Sequence, residues 1–241
     1  MRSTLLRSIL LPGLLLPILA SGAITIPLTT GWNLRGNGDL APIDVSARLN
    51  DQTKIISVWK WNKAANKWAF YAPSMTSLAL SMYAQSKDYD VLTSIASKEG
   101  FWVNASSTVV LTDTFSPPPA VSTPLVTLRE SDLTPGWNLM GSADGKTPAQ
   151  LNAGLSSSLM AVGKTINTAW AWDALSARWK FYAPSLAAQG GAAQSDYILN
   201  KGYLAFATPI AAADGFWVNI GIVPVTYTPT GTITGTTTTA R

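Results

Sequence analysis

The clearest pattern along the chain is a period of two. In "VWKWNKAANKWAFYAPS", Val58 to Ser74, aromatic residues occupy alternate positions, Trp59 and Trp61 and then Trp68 and Phe70. Alternate residues of a strand share one face, and two such runs flanking a short polar stretch predict a β-hairpin. A loop at 63–66 sets Trp61 opposite Trp68 and Trp59 opposite Phe70 on one side. On the other side Val58 faces Tyr71, Lys60 faces Ala69 and Asn62 faces Lys67. "GWNL" after Thr29-Thr30 reads as a short strand, and "EGFWVN" as a strand entered through a tight turn. Thr147-Pro148 is a good N-cap and first-turn pair for a helix over "AQLNAGLSSSLM". "PIDVSARLN" is a shorter helical candidate in the first half.

The pattern occurs twice. "LTTGWNLRG" (Leu28–Gly36) returns as "LTPGWNLMG" (Leu133–Gly141), the hairpin as "AWAWDALSARWKFYAPS" (Ala169–Ser185), and "EGFWVN" (Glu99–Asn104) as "DGFWVN" (Asp214–Asn219). All ten tryptophans pair off: Trp32 with Trp137, Trp59 with Trp170, Trp61 with Trp172, Trp68 with Trp179, and Trp102 with Trp217. The chain is a tandem duplication. Each copy, 24–114 and 126–226, is expected to be a small, mostly antiparallel β-domain of about five strands with one short helix. The Pro-rich stretch 115–125 is expected to be a semi-rigid linker, and the Thr/Gly-rich 227–241 a tail.

Two roles are open to the aromatic faces, a platform for a ligand such as a sugar or plain core. One buried Trp removes about 200 Å² from water, roughly 5 kcal/mol gross at about 25 cal/mol per Å². Without disulfides, and with few Leu, Ile or Val in the motif strands, the core role is the expectation. It assigns Trp32, Trp59, Trp61, Trp68 and Phe70, with Trp137, Trp170, Trp172, Trp179 and Phe181, to the interior. Ligand contact is then expected from the opposite side of the hairpin, at Tyr71, Tyr182 and Lys60, and from Trp102 and Trp217. The same register sets Asp173 opposite Arg178 as a cross-strand ion pair.

The ends and composition narrow the class. "MRSTLLRSILLPGLLLPILASGA" has a basic start, an apolar run and small residues at its end, and predicts a cleaved export signal at 1–23. Its loss removes two of 17 basic residues against 13 acidic ones, so the formal charge falls from +4 to +2. The charges form no stripe, which argues against nucleic acid as a partner, and no second run is long enough to span a membrane. With no Cys and no His, a Ser-His-Asp triad, a Cys nucleophile and thiolate or imidazole metal sites are excluded. Glu99 and Asp214 flank turn glycines, which accounts for an acid there. Asp88 and Asp90 could offer oxygen ligands to calcium, but the second copy has "SDYI", in which Asp196 roughly matches Asp88 alone, and Asn104-Ala105-Ser106 is a glycosylation sequon. No enzyme activity and no cofactor are expected.

The series GWNL-x-G, W-x-W, W-x-F-Y-A-P and G-F-W-V-N resembles a repeat of large bacterial surface and secreted proteins. The resemblance covers most of both copies. It implies an extracellular, modular, non-catalytic role and brings no catalytic residues with it. The expected function is an exported interaction or structural module, with polysaccharide or another surface protein as partner. The alternative is a bivalent carbohydrate-binding protein.

Overall fold

A computed structural model describes residues 25–112 and 126–224. The expected export signal, linker and tail lie outside them. The first copy runs β1 (Ile26–Leu28), β2 (Gly31–Gly36), β3 (Ile43–Asp44), α1 (Val45–Arg48), β4 (Ile55–Asn62), β5 (Lys67–Tyr71), α2 (Ser77–Ser86), β6 (Asp90–Val91), β7 (Ser94–Ile95), β8 (Gly100–Ala105) and β9 (Val109–Leu111). After a 3₁₀ turn at Glu130–Asp132, the second runs β10 (Gly136–Gly141), α3 (Pro148–Ala161), β11 (Lys164–Asp173), β12 (Arg178–Tyr182), α4 (Pro184–Ala188), α5 (Ala193–Lys201), β13 (Leu204–Ala205) and β14 (Gly215–Ile222). Each copy is built on one five-stranded sheet, in the order β2-β8-β4-β5-β6 and β10-β14-β11-β12-β13. The chain is therefore mainly β. Only the last strand of each sheet runs parallel to its neighbour. None of the described helices is long and apolar enough to cross a membrane.

Both hairpins have the register that the alternation predicts, with Trp59 opposite Phe70 and Trp61 opposite Trp68, then Trp170 opposite Phe181 and Trp172 opposite Trp179. Asn66 and Ala177 close the two loops with positive φ. The helix after Thr147 forms as expected, with the Thr147 side chain accepting from Gln150 N and the Gln150 side chain returning the bond. Helical content exceeds expectation, because α2 and α5 fill the stretch that follows each YAPS segment.

The core corrects the sequence reading. The interior of the first copy is aliphatic, with Ile26, Leu28, Val45, Leu49, Ile55, Val58, Ile95 and Val103 packed around Phe101. In the second copy Leu151, Leu155 and Leu159 line one side of α3 and pack against Ile166, Phe216, Val218 and Ile220. The tryptophans occupy the other face of each sheet. Trp32 and Trp137 are 45% and 47% exposed, and the other eight are partly exposed. To Val58, Phe101 and Val103 of the motif strands the interior adds apolar volume from connecting segments, such as Val45, Leu49 and Leu92. Those residues leave no need for indoles inside. Phe70 and Phe181 are buried as expected, but in small separate clusters capped by Leu80 of α2 and Ile198 of α5.

The two copies meet edge to edge. Gly36 N donates to Ala213 O at 3.0 Å and Gly141 N to Lys98 O at 2.8 Å, matched contacts in the two directions. Arg35 bridges Asp214 and Met140 bridges Glu99 in the same reciprocal way, so an approximate two-fold axis relates the copies. A Cβ on Gly36 would meet the Cα of Gly141 at 2.8 Å and collide with the Asp214 carbonyl, and one on Gly215 would collide with the Arg35 carbonyl. The glycines that end GWNL-x-G and open GFWVN are thus demanded by contact with the other copy. Gly36→Ala is expected to cost about 1–3 kcal/mol through overpacking and to lower the melting temperature. Gly154→Ala, in open space within α3, is expected to raise stability by about 1 kcal/mol. Thermal melts of the two variants check both signs.

Candidate functional site

Strand alternation and the edge-to-edge joint together gather the indoles. Val58 and Val103 point into the core, so their neighbours Trp59 and Trp102 point away from it, paired across β4 and β8. Trp32 of β2 packs edge-on against Trp102 at 6.2 Å, and Trp61 against Trp68 at 5.4 Å. The second copy repeats both contacts, Trp137 with Trp217 at 6.2 Å and Trp172 with Trp179 at 5.2 Å. The joint then brings the two sets together, with Trp68 against Trp217 at 6.2 Å and Trp179 against Trp102 at 5.8 Å. Near-perpendicular rings at these spacings match the favoured edge-to-face geometry.

Two open clefts result. One, of about 500 Å³, is lined by Trp61 and Trp68 of the first copy and by Trp137, Trp170, Trp179, Tyr203 and Trp217 of the second. The other, of about 410 Å³, is lined by Trp172 and Trp179 of the second copy and by Trp32, Trp59, Trp68, Tyr89 and Trp102 of the first. The lining sets correspond residue for residue under the duplication. Every tryptophan of the chain lines a cleft, and Trp68 and Trp179 line both. Each cleft needs the hairpin of the opposite copy to complete it.

Polar contacts hold each hairpin over its neighbour. Lys63 Nζ donates to the carbonyls of Thr134, Pro135 and Trp137 at 3.2, 2.6 and 2.9 Å. In the reciprocal position Trp172 Nε1 donates to Trp32 O at 2.9 Å. The acceptor turns are rigid because Asn33 and Asn138 lie buried beneath them. Asn138 Oδ1 accepts from Thr134 N, and its Nδ2 donates to Thr134 O and Gly136 O. Asn33 does the same in the first copy. Charged groups keep to the seams, where Lys98 pairs with Asp132 across the copies at 2.7 Å and Arg35 approaches Asp214 at 3.7 Å. Burial lowers the Arg35 pKa and Asp214 partly restores it.

No charged side chain lines either cleft. Three indole N–H groups are used within the protein, those of Trp59 on Ser57 Oγ, Trp170 on Thr168 Oγ1 and Trp172 on Trp32 O. The remaining seven have no acceptor among the described residues, and none of them is a buried, unsatisfied donor.

The residues expected to touch a ligand divide. Trp102 and Trp217 line the clefts. Tyr71 and Tyr182 do not: Tyr71 packs on the aliphatic core and Tyr182 is 7% exposed. Burial raises the pKa of both phenols. Lys60 is on their side of the hairpin and pairs with Glu99 at 2.7 Å. The tryptophan side of each hairpin turns away from the aliphatic core, with Phe70 and Phe181 buried on it beneath α2 and α5, and the tyrosine side turns inward. Asp173 pairs with Lys180 at 3.3 Å rather than Arg178, which donates to the carbonyls of Gly202 and Tyr203. Asp88 and Asp90 both approach Lys67, at 3.6 and 3.0 Å. Glu99 and Asp214 cap their own turns through Ala96 N and Ala211 N. Tyr89 and Tyr203 were not singled out from sequence. Each directly precedes the short parallel strand, β6 or β13, and that shared position was the available signal.

In comparison with known proteins, the chain matches no family model, no curated protein and no solved structure. Lys63 provides a direct test of how the clefts are assembled. Lys63→Met removes the charged donor from three carbonyls and is expected to cost about 1.5–3 kcal/mol. The loss should appear as a lower melting temperature and as faster hydrogen exchange in the Thr134–Trp137 turn.

Proposed function

We propose that the protein is an exported, non-catalytic interaction module that binds an extracellular or cell-surface partner in its two aromatic clefts. The observation that carries this reading is the convergence of all ten tryptophans on two matched clefts, while each copy has its own aliphatic core. Indoles needed only for stability would be expected inside. Contiguous exposed apolar surface is the usual mark of an interaction site, and volumes of about 500 and 410 Å³ fall in the range of ligand pockets. Indoles also pack across the joint, Trp68 on Trp217 and Trp179 on Trp102, but that contact leaves open ring area in both clefts.

The lining offers ring faces and carries no nucleophile, carboxylate pair or base, which supports binding rather than catalysis. Two sites on one body raise avidity for a polymer or a crowded surface even when each is weak. Carbohydrate is the second reading, favoured by the open indole faces on which a sugar ring can stack.

Trp68 and Trp179 each line both clefts, so one substitution weakens both sites. Titration calorimetry of the intact protein against glucan, chitin and mannan oligosaccharides and against proline-rich peptides should find one class of ligand binding at two sites. Trp68→Ala and Trp179→Ala should each weaken binding by about thirtyfold, the effect of losing a central aromatic anchor. Leu175→Ala, at an exposed loop position outside the aromatic clefts, should leave it unchanged. Absence of binding across the whole panel would overturn the reading.

A further inference from the structure

The two-fold relation between the copies breaks down in charge. In each hairpin the first strand outruns its pairing with the GFWVN strand, which ends at Trp59–Trp102 in the first copy and at Trp170–Trp217 in the second. The overhanging residues, 60–62 and 171–173, border a polar cleft shared with the other copy. Trp61 lines both its polar cleft and the larger aromatic cleft, and Trp172 lines both members of the matching pair. Each aromatic cleft thus adjoins a polar one across a single indole. The polar cleft beside Trp61, of about 700 Å³, sets Lys60, Lys63 and Lys98 against Glu99 and Asp132, one positive charge in excess. The one beside Trp172, of about 200 Å³, sets Arg35 and Lys180 against Asp173 and Asp214 and is balanced. The repeat register places Ala171, Ala174 and Ala213 where the first copy has its three lysines.

The basic cleft also has donors to spare. An ammonium carries three N–H groups. Lys98 gives one to Asp132, and Lys60 gives two, to Glu99 and Ser94 O. The others have no acceptor among the described residues. Lys63 is held by backbone carbonyls and has no carboxylate partner among the described residues, and burial lowers its pKa. Ser97, on the wall of the same cleft, has a buried Oγ with no hydrogen-bond partner. We infer that this cleft holds a carboxylate of an acidic oligosaccharide whose neighbouring sugar rings lie in the larger aromatic cleft, on the far side of Trp61. Partly buried ammonium groups favour an oxyanion through charge-assisted hydrogen bonds. A bare inorganic anion would leave most of the space empty. A peptide would lay backbone N–H and C=O groups on a lining of aromatic residues alone, where they find few partners. A sugar ring turns a C–H face to an indole and its hydroxyls to water. The cleft beside Trp172 has no excess charge, so the two matched aromatic clefts differ in ligand, and the one that adjoins the lysines takes the acidic residue.

This inference rests on the aromatic clefts being binding sites, and the test separates the two claims. The intact protein is titrated, by calorimetry and indole fluorescence, with hexagalacturonate, cellohexaose and hexaglutamate. Hexagalacturonate is expected to bind tightest, at one site per chain, and to weaken as salt is added. Lys60→Ala and Lys98→Ala are each expected to weaken it about tenfold, the effect of one charge-assisted hydrogen bond. Lys98→Arg keeps the charge and should keep most of the affinity. Lys180→Ala removes the same charge from the balanced cleft and should leave the affinity unchanged. Equal losses in Lys60→Ala, Lys98→Ala and Lys180→Ala would trace the effect to overall charge and overturn the inference. Hexaglutamate binding as tightly as hexagalacturonate overturns it in favour of an acidic peptide. Cellohexaose binding as tightly as hexagalacturonate, or binding alone, overturns it and leaves the module reading standing. Silence from all three probes overturns this inference, and silence from the wider oligosaccharide and peptide panel as well overturns both.

Discussion

The contact on which the rest of the structure depends is a close approach of two backbones, Gly36 against Gly141 with Gly215 against Arg35. Without side chains at these glycines, the edges of two sheets come within hydrogen-bonding distance, and Gly36 N and Gly141 N find acceptors in the opposite copy. The joint fixes the angle at which each hairpin crosses its neighbour. From that angle follow the grip of Lys63 on the turn before Trp137, the bond from Trp172 to Trp32, and the meeting of indoles from both copies. A methyl group at the joint would act on the clefts through geometry, without touching an aromatic residue.

The second constraint is a division of labour between the faces of each sheet. Isoleucine, leucine and valine from loops, short strands and helices fill the inner side, and the outer side is free to carry rings. Exposed aromatic surface is an aggregation hazard in an ordinary monomer. Here edge-to-face packing ties the rings to one another, and the reciprocal hairpins shield part of the surface while leaving two openings. The Asn33 and Asn138 networks contribute rigidity at low cost, because each amide satisfies backbone groups that the tight Gly31 and Gly136 turns would otherwise leave unpaired.

Local and periodic features were legible in the sequence. The duplication, both hairpin registers and the Thr147-capped helix follow from residue spacing, capping chemistry and the period of two. The face of the hairpin that points inward was not legible, because alternation separates two faces without saying which is buried. The scarcity of aliphatic residues within the motif strands favours the aromatic side as the buried one. The residues that decide it, such as Val45, Leu49, Leu92 and Ile95, lie outside those motifs and reach the interior only through the tertiary fold. The joint was hidden for a similar reason. A glycine after GWNL-x reads as a turn, and its role in letting two backbones touch depends on a partner more than 100 positions away. The site assembled across that joint could not be read from either copy alone.

Comparison of the copies with each other shows what the arrangement requires and what it leaves free. On the inward side of the hairpin Lys60 becomes Ala171, Asn62 becomes Asp173 and Ala69 becomes Lys180, and in the loop Lys63 becomes Ala174. These positions form seams whose polar contacts differ between the halves, with Lys60 bound to Glu99 in one and Lys180 bound to Asp173 in the other. Even the clasp on the opposite turn is made by different atoms, an ammonium from Lys63 and an indole N–H from Trp172. A seam needs only some donor in reach of a carbonyl, so it tolerates exchange. The clefts need ring area in defined orientations, and only Trp, Tyr or Phe provides that. The joint needs the absence of a Cβ, and only Gly provides that. The five pairs of tryptophans, the Tyr89–Tyr203 pair and the joint glycines are accordingly among the positions that are identical in the two halves.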